Sequence, residues 1–326
     1  MRIAAALGAL AAALATFAAP PATAQTATSL FPSKQVRIVI PFSPGGSADA
    51  QARIMAQKLG ELWGQSVLVE AKPGAGTTIG AAYAAAQPPD GHTLYLAGAS
   101  LLISGGLYKN LPYDPVKSFT PISLIANSPY FLVVHPSVQA NTVAELIALA
   151  KAKPDALSYA SAGNGSGSHL ASELFRMLTG IDLQHVPYKG QAPAFIAMVA
   201  GEVQILFADV GVVPFVQSGK LRALAETTGK RSTLLPNVPT IGESGLPAYE
   251  MSNWGAILAP AGVPRPIVAQ IHAAILKVLG DAEVKQRFAS GGFETLGTSP
   301  EALAKLLADE YDKYAKVIKA SNMKID

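Results

Sequence analysis

Val36-Arg37-Ile38-Val39-Ile40 runs straight into Pro41-Phe42-Ser43-Pro44-Gly45-Gly46-Ser47-Ala48-Asp49, and beyond it Ala52, Met55, Ala56, Leu59, Leu62 and Trp63 recur every three or four residues. The β-branched run predicts a strand, and the spacing after it predicts a helix to residue 62 with one apolar face. The glycine pair between them predicts a tight turn. In a strand, loop and helix head of this kind, first-turn amides with no partner inside the helix converge with the positive end of the helix dipole. Such a nest holds an anion without a lysine or arginine.

The same plan occurs a second time. Leu157-Ser158-Tyr159-Ala160 leads through Ser161-Ala162-Gly163-Asn164-Gly165-Ser166-Gly167-Ser168 to a helical stretch over 169–178. Two nests on opposite sides of a cleft suit a small carboxylate. Between and beyond them, short apolar runs at 66–70, 93–97, 131–134, 184–186, 203–207, 221–226 and 255–258 predict strands. Helical spacing covers a small-residue stretch ending at Ala86, then 143–151, 191–200, 266–279, 282–290 and 300–318. This alternation predicts an α/β protein whose sheets are mainly parallel and flanked by helices. Asn127-Ser128-Pro129-Tyr130 and the stretch 250–254 are the expected crossings between two lobes. They would divide the chain into lobe 1, residues 25–126 with 251–326, and lobe 2, residues 127–250. Two crossings make a hinge that lets a cleft close.

Composition narrows the function classes. Met1-Arg2 precedes an uncharged apolar stretch over 3–19, and Ala22-Thr23-Ala24 has the small-x-small form of a cleavage site. Residues 1–24 therefore read as a secretory signal peptide cut near Ala24, which places the mature chain in the periplasm. The remainder carries 24 basic against 22 acidic residues with no basic run, so nucleic acid is not an expected partner. Zero cysteines among 326 residues exclude disulfides, thiolate metal sites and a cysteine nucleophile. Half of the residues are apolar, enough for substantial cores.

The candidate ligand-binding residues follow the loops. The first nest contributes Phe42, Ser43, Gly45, Gly46, Ser47, Ala48 and Asp49. Loops after the second and third strands contribute Gly76, Thr77 and Ser100. The second nest contributes Ser161, Gly163, Asn164, Ser166, Gly167, Ser168 and His169, and later loops add Tyr188 and Asp209. Asp49 has two readings: a carboxylate complementing its helix dipole, or an acceptor for a ligand amine or hydroxyl. No histidine pair falls at i, i+4, no His-Glu-x-x-His occurs and no trio of carboxylates accompanies His169 or His185, so a metal site and a cofactor are not expected. The spacing Gly163-x-Gly165-x-Gly167 is followed by Ser168 and is not the dinucleotide fingerprint. No Gly-x-Ser-x-Gly elbow occurs, which counts against the rival reading of a secreted hydrolase.

A resemblance covers nearly the whole mature chain. Phe31-Pro32-Ser33-Lys34-Gln35-Val36-Arg37-Ile38-Val39 with the first nest is similar to the start of the periplasmic receptors of tripartite tricarboxylate transporters, the Bug receptors. Pro73-Gly74-Ala75-Gly76, Pro89-Asp90-Gly91-His92-Thr93-Leu94, Gly163-Asn164-Gly165-Ser166 and His185-Val186-Pro187-Tyr188-Lys189-Gly190 continue it in order. The chain departs from the family's common asparagine, arginine and glycine at Ala71, Lys72 and Thr77. The resemblance implies a two-lobe periplasmic-binding-protein architecture (type II, Venus-flytrap) and a monomer that closes over a small carboxylate and docks on integral-membrane permease subunits. It also implies that the loops at 43–49 and 161–169 clasp one ligand carboxylate, partly through bridging waters. The expected function is solute binding without catalysis, for a mono- or dicarboxylate with an aliphatic or aromatic body. A receptor for an amino-acid or non-anionic solute is the alternative within binding proteins.

Overall fold

The computed structural model describes residues 31–154, 156–321 and 323, so the signal-peptide reading of residues 1–24 lies outside the described residues. In chain order the elements are β1 (Val36–Ile40), α1 (Ser47–Trp63), β2 (Val67–Ala71), α2 (Thr78–Ala85), β3 (Thr93–Ala97), α3 (Ala99–Leu107), β4 (Phe119–Ser128) and β5 (Phe131–Val134). There follow α4 (Val143–Ala152), β6 (Ser158–Ser161), α5 (Gly167–Thr179), β7 (Gln184–Pro187), α6 (Gln191–Ala200), β8 (Ile205–Ala208), α7 (Val213–Gln217) and β9 (Arg222–Glu226). The chain finishes with β10 (Asn253–Pro260), α8 (Arg265–Gly280), α9 (Ala282–Ser290), β11 (Glu294–Thr295) and α10 (Pro300–Ser321).

The strands form two mixed sheets, ordered β11-β4-β10-β3-β1-β2 and β7-β6-β8-β5-β9. β1, β2 and β3 are parallel, as are β6, β7 and β8, while β10 and β5 each run against both of their neighbours. The crossings account for both reversals. β4 ends one sheet at Ser128, and β5 begins the other at Phe131 and runs back from the same edge. β10 does the same when the chain returns at Asn253. The carboxyl ends of the parallel strands in both sheets therefore carry the loops that open the helices.

Side chains along each strand alternate between two apolar layers. Val39, Tyr95, Leu132, Val134, Tyr159 and Phe207 belong to one layer. Ile38, Ile40, Leu94, Leu96, Phe131, Val133 and Leu206 belong to the other. Each layer runs through both sheets, the pattern expected of strands covered on both faces by helices. The two crossings are bonded to each other. The Tyr130 N–H donates to Thr227 Oγ1 at 2.9 Å, the Tyr130 hydroxyl to Asn253 Oδ1 at 3.3 Å, and the Ser128 hydroxyl to the Asn253 carbonyl at 3.2 Å.

Candidate functional site

The first nest is largely open. Gly46 is the N-cap of α1 in extended backbone, no side chain caps the helix, and Ser43 to Gly46 are exposed. Gly45 adopts φ +95°, a region that suits glycine alone. Asp49 Oδ2 accepts from the Gly45 N–H at 3.1 Å and from Arg53 Nε at 2.9 Å. Burial opposes its charge, but these two bonds hold its pKa below the usual carboxylate value. Asp49 thus shapes the loop from below and consumes the Gly45 amide. The first-turn amides of Ser47, Ala48 and Asp49 are those the helix itself cannot bond.

The second nest is buried and more internally bonded than a bare glycine loop. Ser166 caps α5, accepting from the His169 N–H, so the helix starts at Gly167, two residues earlier than apolar spacing predicts. The Ala162 N–H donates to Ser168 Oγ at 2.9 Å, the Gly163 N–H to Ser161 Oγ at 3.1 Å, and the Gly165 N–H to His169 Nδ1 at 3.2 Å. The serines and His169 are therefore the loop's own scaffold. The amides of Gly167 and Ser168 are left as first-turn groups. Burial, then the nearby Arg176 charge, lowers the His169 pKa to about 4, so the ring is neutral at pH 7 and can accept from Gly165. Below it His185 stacks on both neighbours, 4.0 Å from His169 and 4.7 Å from Tyr159 between ring centroids. His185 Nε2 lies 2.7 Å from Ser161 Oγ. Tyr188 is held by its main chain, its N–H donating to the Ser161 carbonyl at 3.0 Å.

Three close approaches bring the two groups of loops together. Ser47 lies within electrostatic reach of the buried carboxylate of Asp209, which follows β8 and accepts from the Gly211 N–H at 3.0 Å. β8 pairs with β6, the strand that leads into the second nest. A Cβ on Gly76 would lie 3.0 Å from the Asn164 carbonyl oxygen, and one on Gly165 would lie 3.2 Å from Leu107 of α3. Gly76 thus lies near Asn164 and Ser47 near Asp209, each pair drawn from both groups of loops. Leu101 and Leu102 are fully buried in a core layer, whereas Phe42 is half-buried in the first loop.

Nine buried side-chain polar atoms of the described residues lack a hydrogen-bond partner; three of them, His92 Nδ1, Tyr95 Oη and Arg176 Nε, lie elsewhere, and the other six fall near these loops. The six are Asp49 Oδ1, Gln51 Oε1, Thr77 Oγ1, Ser100 Oγ, Asn127 Oδ1 and Gln191 Oε1. All six stand at the carboxyl ends of strands or at the opening turns of the helices that follow. Gln51, Asn127 and Gln191 escape sequence reading, because each looks like an ordinary polar residue of a helix or strand. The proximity of Asn127 to the Ser128-Pro129 crossing and of Gln191 to Gly190 is their only sequence signal. No lysine or arginine falls in the buried class among the described residues, and the part-buried Arg176 is already paired with Glu173 and Asp182. Nor, among those residues, do three histidine or acidic side chains cluster as metal ligands would.

Residues 51–323 match the family described as "Tripartite tricarboxylate transporter family receptor". The chain is 34% identical over 313 residues to protein BugT of Bordetella pertussis, covering 94% of each. Two solved structures are also similar. A Rhodopseudomonas palustris protein with adipate gives a TM-score of 0.85 at 34% identity, covering 90% of this chain and 99% of that one. MatC from the same organism, with bound malate, gives 0.82 at 32% identity, covering 88% and 100%.

Proposed function

The chain belongs to the tripartite tricarboxylate transporter receptor family, whose members are solute-binding receptors and not enzymes, and from that premise we propose that it captures a small mono- or dicarboxylate between its two lobes. The observation that carries this reading is the pair of helix heads, α1 uncapped and α5 capped only at His169, whose first-turn amides are free to donate, with the partnerless buried hydroxyls of Thr77 and Ser100 as further donors. Burying polar atoms without partners costs free energy that a bound ligand recovers. Amide and hydroxyl donors suit an oxygen anion. The adipate and malate bound by two similar proteins are ligands of this class.

In this reading the mature chain starts after cleavage near Ala24 and works in the periplasm. Lobes 25–126 with 251–326 and 127–250 turn about the Tyr130–Thr227–Asn253 junction. A carboxylate that touches both nests stabilises the closed form and shifts the population towards it. Charge-assisted hydrogen bonds contribute about 1.5–3 kcal/mol each. Three or four of them, less ordering costs, support a Kd near the micromolar range, about −8 kcal/mol. The closed form then offers both lobes to integral-membrane permease subunits.

Gly46 allows a direct test. Its φ is −91° and a Cβ added there would meet nothing within 4 Å, so Gly46→Val is compatible with the fold. A thermal-shift screen of aliphatic and aromatic carboxylates is expected to find a stabilising ligand for the native protein, and Gly46→Val is expected to lose that stabilisation while melting normally. Stabilisation by neutral sugars alone, or unaltered carboxylate binding by the variant, would overturn the proposal.

A further inference from the structure

The turn that opens α2 is strained. Gly74, Ala75, Gly76 and Thr77 all have positive φ, at +126°, +43°, +59° and +80°. Glycine is at ease there, but a β-branched threonine at φ +80° is an outlier that persists only where something compensates. Thr77 is the N-cap of α2, a position where a threonine hydroxyl ordinarily accepts from a first-turn amide. Here it caps nothing. The residue is 5% exposed, and its Oγ1 has no partner among the described residues.

Its position lies between the two nests. On one side, Gly76 presses on Tyr108 Oη and the Asn164 carbonyl of the second nest, at 2.8 and 3.0 Å from its would-be Cβ. On the other, Gly80 packs on Pro41 of the first loop, 2.9 Å from the Pro41 Cα by the same measure. The head of α2 therefore offers a partnerless hydroxyl and first-turn amides, all donors, between Pro41 of the first loop and Asn164 of the second. A cluster of donors at the positive end of a helix dipole fits an oxygen acceptor and repels an ammonium group.

We propose that Thr77 determines specificity for a second carboxylate: its hydroxyl and the leading amides of α2 bind the far end of a ligand whose first carboxylate lies between the nests. This rests on the carboxylate-receptor reading above. It assigns the ligand to the dicarboxylates rather than to simple fatty or aromatic monocarboxylates, and it gives the strained threonine a function. The strain and the orphan hydroxyl are costs borne by the free protein and recovered in the complex.

The test uses matched pairs, succinate with butyrate, glutarate with valerate and adipate with hexanoate, measured by calorimetry on the native protein, Thr77→Val and Thr77→Gly. Thr77→Val keeps the β-branch and removes the hydroxyl; Thr77→Gly removes both the hydroxyl and the strain. The native protein is expected to prefer one dicarboxylate over its partner by at least about tenfold, and both variants to lose about tenfold of that ratio. Free Thr77→Gly is expected to melt about 2 °C higher than the native protein. Equal loss for both members of a pair, or an unchanged ratio in both variants, would overturn the assignment of Thr77. If the native protein binds monocarboxylates without preferring any dicarboxylate, the assignment fails while the receptor reading stands. If it binds no carboxylate at all, both fail.

Discussion

Ser47, at the head of α1 beside the six-stranded sheet, favours the charged form of the buried Asp209 carboxylate at the end of β8 in the five-stranded sheet. Burial raises the Asp209 pKa from 3.8 to about 6, against Ser47 and the bond from Gly211, which favour the charged form. The unfolded chain therefore releases this proton near pH 4, whereas the folded protein retains it to about pH 6. Folded stability falls as pH rises through that window and is level above it, with a total penalty of about 3 kcal/mol for the ionised group. Asp209→Asn keeps an oxygen to accept from Gly211 and cannot ionise. Thermal melts from pH 4 to pH 8 should show the variant gaining on the native protein as pH rises. Glu226, raised by burial to about 7, adds a decline of the same sign to both proteins, so the difference between the two curves isolates Asp209. A flat difference curve would refute this account.

His169 has the opposite pH signature. Its folded pKa of about 4 lies below the ordinary 6.5, so the unfolded chain takes up a proton that the folded protein refuses. Stability conferred by the neutral ring is complete above pH 6.5 and is lost as pH falls towards 4. The bond at stake is the Gly165 N–H to His169 Nδ1, since a charged imidazole has no lone pair to offer. His169→Phe keeps a ring against His185 but orphans the Gly165 amide. It should cost about 1–3 kcal/mol in chemical denaturation at pH 7 and remove the extra loss between pH 6.5 and 4. An NMR titration placing the native imidazole pKa above 6 would contradict this.

Much of the fold is legible in the sequence because β-branched runs and three-to-four spacing alternate without interruption from Val36 onward. Helix α3 is not, since Ala99-Ser100-Leu101-Leu102-Ile103-Ser104 is buried on every side and so leaves no polar face to set a period. Strand β4 is also missed: Pro121 and two register shifts against β10 break its alternation. The nests are visible as glycine loops between strand and helix. Which amides remain available is not visible, because Asp49, Ser161, Ser168 and His169 each take one through a side chain whose direction only the folded loop fixes. Gln51, Asn127 and Gln191 are hidden for the same reason.

Gly167 offers the sharpest link between the nests and the crossings. A Cβ there would overlap the Tyr130 hydroxyl oxygen, with the Cζ atom next at 3.1 Å, so the first residue of α5 rests directly on a crossing residue. Gly167→Ala must displace either the helix head or the Tyr130 ring. Movement of the ring disturbs the bond from the Tyr130 hydroxyl to Asn253 on the return crossing, and movement of the helix head shifts the first-turn amides of α5. The variant should lose stability by about 1–3 kcal/mol and bind its carboxylate at least about tenfold more weakly. Tyr130→Phe removes the colliding oxygen and leaves a contact that a small shift relieves. Alone it should cost about 0.5–1.5 kcal/mol through the lost hydrogen bond. Combined with Gly167→Ala it should recover most of the alanine's loss, a coupling of about 1 kcal/mol or more in a double-mutant cycle of melting and calorimetric affinity. Additive losses in that cycle would show that the helix head does not lean on the crossing, and that ligand grip and hinge position are independent in this receptor.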